Sequence, residues 1–473
     1  MPGALMICGA TSDAGKSVIV AGLCRLLARR DVRVAPFKAQ NMSLNSAVTA
    51  DGAEIGRAQA FQAFCAGIEP EAVMNPVLLK PTSDRRSQVI VLGHPVGDAD
   101  AGEYGARTGE LMPVVLDALA DLRERFDVVI LEGAGGAAEI NLLDRDIVNL
   151  PLAAKAGIPA LVVGDIERGG VFASLYGTHA LLPDDLRACV RGFVINRFRG
   201  DVALLGDGPA QLTERTGVPV LGVLPYVEGI TVDDEDSLAL ARGWSTPGPS
   251  GPLSGEHGDE LDVAVVRFPR VSNITDLDPL RAEPGISVRL VARLSELGNP
   301  DLVVLPGTKS TVHDLRWFRS SGLAGAVRDS SATILGICGG YQMLGTRIID
   351  DVESGAGEVE GLGWLDVETV FQPEKVVRRR GHGYEIHHGV VSDDALLHDE
   401  GRVLGTTLHG FFDDDRLRHA FLSDLAGEEW ESDVVFTAVR HKQADRLADL
   451  LAEHLDLEAV CALLGLSAGT VSS

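Results

Sequence analysis

The segment Ile334-Leu-Gly-Ile-Cys-Gly-Gly-Tyr-Gln-Met-Leu-Gly345 carries the most pointed chemistry of the chain. An apolar run leads into Cys338, two glycines follow, and a helix-compatible run begins. A buried strand that turns sharply into a helix exposes the residue at the turn, and small neighbours let a substrate approach it. A thiol at a helix N-terminus sits in positive partial charge, which favours the nucleophilic thiolate. Most cysteines of this kind are buried and inert; the Gly-Ile-Cys-Gly-Gly context sets Cys338 apart as a nucleophile.

A thiolate that attacks an amide needs a site for the oxyanion and a base. Asp301-Leu-Val-Val-Leu-Pro-Gly-Thr-Lys-Ser310 reads as a buried strand with a tight turn. Two adjacent strands would bring the backbone N–H near Gly307 and that of Gly339 to one point, where such a donor is worth about 3 kcal/mol of transition-state stabilisation. Of the twelve histidines, His409 is the candidate base, since it follows the strand-like run Val403–Leu408 and has Gly410 beside it. The cluster Gly383-Tyr-Glu-Ile-His-His-Gly389 competes, with His387 and His388 read as substrate-side groups. No histidine is spaced with carboxylates on one helix face, so no zinc site is expected.

A second chemistry lies near the start. After the strand-like run Ala4–Cys8 comes Gly9-Ala-Thr-Ser-Asp-Ala-Gly-Lys-Ser17 and then an apolar helix to about Ala28. Backbone N–H groups from Gly9 through Thr11 to Gly15 would cradle phosphates, Lys16 would neutralise the β/γ-phosphates, and Ser17 is placed to ligate Mg²⁺. Five residues separate Gly9 from Gly15, one more than in the common P-loop. The apolar strand Asp127–Leu131 ends in Glu132, a second residue for the metal site. Beyond the strand Val32–Phe37 stand Lys38, Gln40, Asn41, Ser43 and Asn45, where open α/β sheets bind ligands; a hydrated loop is the plain alternative. Lys80, Arg85 and Arg86 fall in the polar stretch between two further strand-like runs, which reads as an anion site or a solvated turn.

Strands must deliver these residues, and the sequence has the rhythm for it. Apolar runs at Ala160–Gly164, Gly192–Asn196 and Val220–Leu224 alternate with helical stretches, which indicates a mostly parallel sheet with helices on both faces. The interval 241–260 holds three prolines and five glycines among polar residues and reads as a linker. The strand–helix rhythm restarts at Leu261. The expected domains are therefore 1–240 and 261–473, the latter ending from about Val434 in an amphipathic helical extension with Leu447, Leu450, Leu451, Leu455 and Leu457, expected to pack on the second domain.

Composition agrees. A chain of 473 residues exceeds one ordinary core, and 54 glycines with few aromatics suit an α/β protein rich in tight turns. The net charge of −26 argues against a nucleic-acid binder. Six scattered cysteines without a C-x-x-C pair fit a reducing cytoplasm. With no span-length apolar run and a strand almost at the N-terminus, a soluble cytoplasmic protein without membrane association is expected.

The loop Gly9–Ser17 resembles that of dethiobiotin synthetase and its relatives. Cys338 in Gly-Ile-Cys-Gly-Gly-Tyr-Gln, with His409 downstream, is similar to the class I glutamine amidotransferase domain. The resemblance implies a P-loop-containing, mostly parallel sheet domain followed by a flavodoxin-like α/β glutaminase domain. It makes Cys338 the nucleophile on the glutamine amide and His409 the proton carrier; Gln342 would help fix the glutamine, and Asn196 would stand where a purine ring is recognised. His409 is followed by Gly410-Phe411, so the usual Glu two residues on is missing, as in the cobyrinic/cobyric acid synthase branch. Glu385 and Asp413 are candidates to orient the imidazole in its place. Runs Lys38–Asn45, Ala138–Leu142, Asp144–Asn149, Arg168–Ala173, Asn196–Asp201 and Leu305–Thr311 resemble that same family.

The resemblance implies ATP and Mg²⁺, with neither zinc nor flavin, and L-glutamine and a corrinoid acid as partners, leaving room for a homo-oligomer. It implies amidation of side chains b, d, e and g of adenosylcobyrinic a,c-diamide through an acyl phosphate in adenosylcobalamin biosynthesis, with an enclosed path for ammonia. The alternatives are amidation of cobyrinic acid at a and c, a P-loop switch ATPase with an inert amidotransferase-like domain, and a glutaminase subunit serving another enzyme.

Overall fold

The computed structural model describes residues 3–83, 85–229 and 261–467, so the expected linker 241–260 lies outside the described residues. The chain forms two compact units. The first comprises Met1–Met42, Glu54–Val232 and His441–Ser473, and the second Ser43–Ala53 and Asp233–Arg440.

The first unit is built on a six-stranded parallel sheet in the order Val220–Pro225, Val190–Phe198, Ala160–Asp165, Gly3–Gly9, Val128–Glu132, Val34–Phe37. Its central strands are near-continuous apolar runs rather than alternating ones, broken only by Glu132 at the end of its strand, as a sheet covered on both faces requires. Ile7 pairs in register with Glu132, so the glycine-rich loop and the carboxylate leave the same edge side by side. Gly15 at φ 94° turns the chain from the loop into the helix Lys16–Ala28, a conformation open to glycine at little cost. A four-stranded sheet of Gln40–Met42, Val77–Pro81, Arg86–Val91 and His94–Asp100 belongs to the same unit.

The helix Lys16–Ala28 is buried on nearly every side, and the residues from His441 onward explain why. Leu447, Leu451, Leu455 and Leu464 share its apolar core with Ile19, Val20 and Leu23. A Cβ at Gly22 would lie 2.7 Å from a Leu451 methyl, so the small residue admits the second helix. Arg25–Asp445 at 2.8 Å and Arg29–Asp449 at 2.6 Å flank the seam. This corrects the expectation that the C-terminal extension packs on the second domain. Its leucine spacing specified a buried face, and the complementary surface is the P-loop helix.

The second unit has a sheet in the order Ile286–Val291, Leu261–Val266, Leu302–Leu305, Thr333–Ile337, Val403–Thr406, His398–Glu400, parallel except at the last strand. The strand before Cys338 lies between the strand that runs on to Gly307 and the one that runs on to His409. A smaller sheet carries the long hairpin Glu368–Arg380 and Gly383–Val391. Among the described residues no helix is long and apolar enough to cross a membrane.

Candidate active site

In the first unit the chemistry converges on Glu132. Its Oε1 accepts from Ser17 Oγ at 2.8 Å and from Lys38 Nζ at 3.0 Å, and its Oε2 accepts from Gln62 Nε2. Burial by itself would raise this carboxyl, but the Lys38 ammonium and the Gln62 and Ser17 hydrogen bonds outweigh it and hold the group below the usual carboxylate range. Glu132 is therefore an anion at neutral pH although only 1% exposed. Lys16 Nζ donates to Gly135 O at 3.2 Å across the glycine-rich turn that follows the Glu132 strand. Asn196 lies against the loop: its Nδ2 donates to Ala14 O at 2.9 Å, and a Cβ on Gly15 would come within 2.0 Å of that nitrogen. Gly9 and Thr11 lie in the same turn, where a Cβ at Gly9 would meet Thr11 O at 2.5 Å.

The residues beyond the second strand have a different setting from the one anticipated. Lys38 is buried on Glu132, Asn41 Nδ2 donates to Gln59 Oε1 at 2.9 Å, and Gln40 accepts from the Tyr104 hydroxyl. Ser43 and Asn45 belong to the other unit, where Ser43 Oγ bonds the Asn45 backbone at 3.0 Å. A buried, internally bonded segment replaces the hydrated loop. Lys80 also departs from expectation: it lies within the strand Val77–Pro81, buried 2.6 Å from Glu54 Oε1, whereas Arg85 stands exposed in the turn. A lysine buried on its own carboxylate does not make an anion site with Arg85.

In the second unit Cys338 sits at φ 50°, ψ −109°, a backbone conformation that L-residues rarely hold and that functional turns sustain. The tight glycines around it have separate reasons. A Cβ at Gly340 would lie 1.8 Å from Leu305 O, one at Gly336 2.7 Å from the Tyr341 backbone, and one at Gly405 2.0 Å from the Tyr341 ring. The helix Gly339–Leu344 thus lies directly on its neighbouring strands. Gly339 abuts Thr308, where a Cβ would fall 3.1 Å from the Thr308 nitrogen, and a Cβ at Gly307 would fall 3.1 Å from His409 Cε1. The three strand ends meet in one place. Gln342 is buried, with Nε2 on Gly389 O at 2.9 Å and Oε1 taking the Thr311 hydroxyl at 3.0 Å, so it ties the helix to the hairpin strand.

His409 is 1% exposed and has both a charged and an aromatic partner. Its Nδ1 lies 2.7 Å from Asp276 Oδ2, while Asp276 Oδ1 accepts from Gly410 N at 2.9 Å. Tyr384 stacks on the ring with centroids 5.3 Å apart. Burial would lower the imidazole, but the Asp276 carboxylate and then the Cys338 sulfur, both also hydrogen-bond partners, push it up to about 10. His409 is thus an imidazolium at neutral pH, within hydrogen-bond reach of the Cys338 sulfur. Asp276 was not among the residues singled out from sequence. Glu385 is instead engaged by Arg378 at 2.5 Å, Arg380 at 3.0 Å and Thr407, and Asp413 gives its backbone N–H to Gly410 O at 3.0 Å. The signal was available, because Arg270, Ser272, Asn273, Thr275 and Asp276 are a polar cluster beyond the carboxyl end of the strand Leu261–Val266.

His387 faces the same region. Burial pushes it down to about 4, so it is a neutral imidazole, one nitrogen a donor and the other an acceptor. His388 Nδ1 is 3.0 Å from Gln372 O.

Comparison with known proteins follows the same division. Residues 5–238 match the family described as the CobQ/CobB/MinD/ParA nucleotide binding domain, and residues 262–417 match the CobB/CobQ-like glutamine amidotransferase domain. The cobyric acid synthase of Frankia casuarinae is 52% identical over 98% of this chain and 97% of its own length. That of Rhodococcus jostii is 52% identical over 98% and 96%. That of Streptomyces coelicolor is 51% identical over 98% and 97%.

Proposed function

The chain belongs to the cobyric acid synthase family, and from that premise we propose that it amidates the b, d, e and g carboxylates of adenosylcobyrinic a,c-diamide with ATP and the amide of L-glutamine. What supports a working glutaminase most is the Cys338–His409–Asp276 array, in which a buried carboxylate fixes the imidazole beside the thiol. The Cys338 thiolate attacks the glutamine carbonyl, and the oxyanion is met by N–H groups at the Gly307–Thr308 turn and at Gly339. The imidazolium of His409 gives its proton to the leaving nitrogen, which departs as ammonia, and water then cleaves the thioester to glutamate. Asp276 holds the proton-bearing Nδ1 so that Nε2 faces the sulfur, the role a carboxylate plays in other triads.

At the other site a substrate carboxylate takes the γ-phosphoryl of ATP, releasing ADP, since a bare carboxylate is too poor an electrophile for ammonia. Ammonia then adds to the acyl phosphate and phosphate leaves. The positions of Lys16 and the Gly9–Gly15 backbone support their holding the phosphates. The donor set fits Mg²⁺ through Ser17: its hydroxyl proton is directed at Glu132, which leaves the oxygen lone pairs for a cation, while the Glu132 oxygens are already occupied by donors. Mg²⁺ bound there would neutralise phosphate charge. Glu132 accordingly orients Ser17 and stands beside the position where Mg²⁺ or its water would be held. Asn196 supports the loop backbone through Ala14 O. Both the acyl phosphate and ammonia are lost in water, so the two half-reactions must be timed together.

The acceptor is tested by incubating the full chain with ATP, Mg²⁺, glutamine and either adenosylcobyrinic a,c-diamide or cobyrinic acid, and resolving the corrinoids by mass spectrometry. Successive amidation of the diamide is expected. Amidation of cobyrinic acid at a and c, with the diamide untouched, would contradict it.

A further inference from the structure

Asn45 closes the eight-residue run that begins with Lys38, yet the chain passes from the first unit to the second between Met42 and Ser43. Within the second unit Asn45 Oδ1 accepts from the backbone N–H of Asn273 at 2.7 Å, and the next residue, Ser46, donates its N–H to Asn273 Oδ1 at 2.9 Å. The exchange is reciprocal and buried: Asn45 and Asn273 are each 3% exposed. Ser43 fixes Asn45 in turn, through hydrogen bonds to both its N–H and its carbonyl.

Asn273 is held at φ 51°, ψ 40°, a left-handed conformation that asparagine tolerates better than most residues but does not choose unaided. It opens the single turn Ile274–Leu277, and its carbonyl accepts from Asp276 N at 3.0 Å. Asp276 is the residue that grips His409 Nδ1 and Gly410 N. Immediately before Asn273, Ser272 N bonds Gly307 O at 2.8 Å. The turn bearing the triad carboxylate is therefore anchored at its N-terminal end twice over, by the oxyanion strand through Ser272 and by Asn45 through Asn273.

We propose that Asn45, contributed by the N-terminal half of the sequence, is a positioning residue of the glutamine-hydrolysing site: it locks Asn273 in the left-handed conformation that places Asp276 against His409. The proposal rests on the glutaminase reading of Cys338. The same stretch starts at Lys38, bonded to Glu132 beside the P-loop, so the segment that meets the nucleotide site is covalently continuous with the one that sets the imidazole.

The test uses the full chain and measures glutamine hydrolysis and ammonium-driven corrinoid amidation for the wild type, Cys338→Ala, Asn45→Ala, Asn273→Gly and Asn273→Ala. Asn45→Ala is expected to lower kcat for glutamine by about 10- to 100-fold, the scale of a misplaced catalytic group. KM for glutamine should change little, the alkaline limb of the pH profile should move to lower pH, and ammonium-driven amidation should persist. Asn273→Gly, which accepts a positive φ freely, should keep more glutamine turnover than Asn273→Ala. An unchanged kcat for Asn45→Ala, an equal fall with glutamine and ammonium, or Asn273→Ala matching or exceeding Asn273→Gly overturns the proposal. A wild type that hydrolyses no glutamine, or a Cys338→Ala that still does, overturns the glutaminase reading instead.

Discussion

Asp276 holds His409 by Nδ1 and holds the next backbone N–H with its other oxygen, so removing its charge affects both the charge and the aim of the imidazole. The folded-state pKa of His409, about 10, lies above the ordinary imidazole value of about 6.5. A group raised in this way contributes its full stability below its unfolded pKa and loses it as pH rises through the folded value. The same deprotonation removes the proton that the leaving nitrogen takes, so wild-type glutamine hydrolysis should fall on the alkaline side of neutrality, towards pH about 10. Asp276→Asn should lower kcat for glutamine by about 100-fold and bring the alkaline limb towards neutrality, as a pH–rate profile would record. A limb that stays in place would show that Asp276 does not set the imidazole. At this scale Cys338, His409, Lys16, Ser17 and Glu132 were legible because each belongs to a local pattern of residue types. Asp276 and Gln62 were not: a polar cluster beyond a strand end marks the Asp276 turn, but both residues reach their partners from 133 and 70 positions away, and the folded strand order is what identifies those partners.

The strand–turn–helix at Cys338 was also legible, because an apolar run, a small-residue turn and a helical run read locally as such. Packing supplies what the pattern lacks, namely which glycines have no alternative. Gly340 lies under the Leu305 carbonyl with no space for a methyl group, whereas Gly325, in the helix Leu323–Asp329, would meet nothing within 4 Å. Gly340→Ala should destabilise the protein by about 1–3 kcal/mol or more, as overpacking against backbone does, and should depress glutamine hydrolysis by shifting the Cys338 turn. Gly325→Ala should leave activity intact and stabilise by up to about 1 kcal/mol through helix propensity. Urea unfolding of both variants, compared with the wild type, checks the pair, and equal effects would contradict the packing assignment. The element after the second strand was read correctly as polar and at the sheet's carboxyl edge, but its buried bonding was not. Polarity marks a segment that needs hydrogen bonds without saying whether water or protein makes them.

Across the whole molecule the C-terminal helices were visible in the leucine spacing, while the surface they cover was not, since periodicity identifies an apolar face and leaves its partner open. They complete the core of the nucleotide-binding unit, with Leu447 and Leu451 against the P-loop helix. Truncating buried leucines costs about 2–5 kcal/mol each, so deleting residue 441 onward should strip the stabilisation that ATP confers on thermal unfolding and abolish ammonium-driven amidation. Retention of ATP-dependent stabilisation by the truncated chain would show that the helices are dispensable to that core. The proposed function divides the reaction between the two units, with ammonia generated at Cys338 in one and the acceptor activated at Lys16, Ser17 and Glu132 in the other. The most direct measurement of that division is corrinoid amidation by Cys338→Ala with ATP and Mg²⁺, supplied in turn with glutamine and with an ammonium salt. The account predicts no product with glutamine and undiminished product with ammonium; a folded variant that fails with both, or works with glutamine, contradicts it.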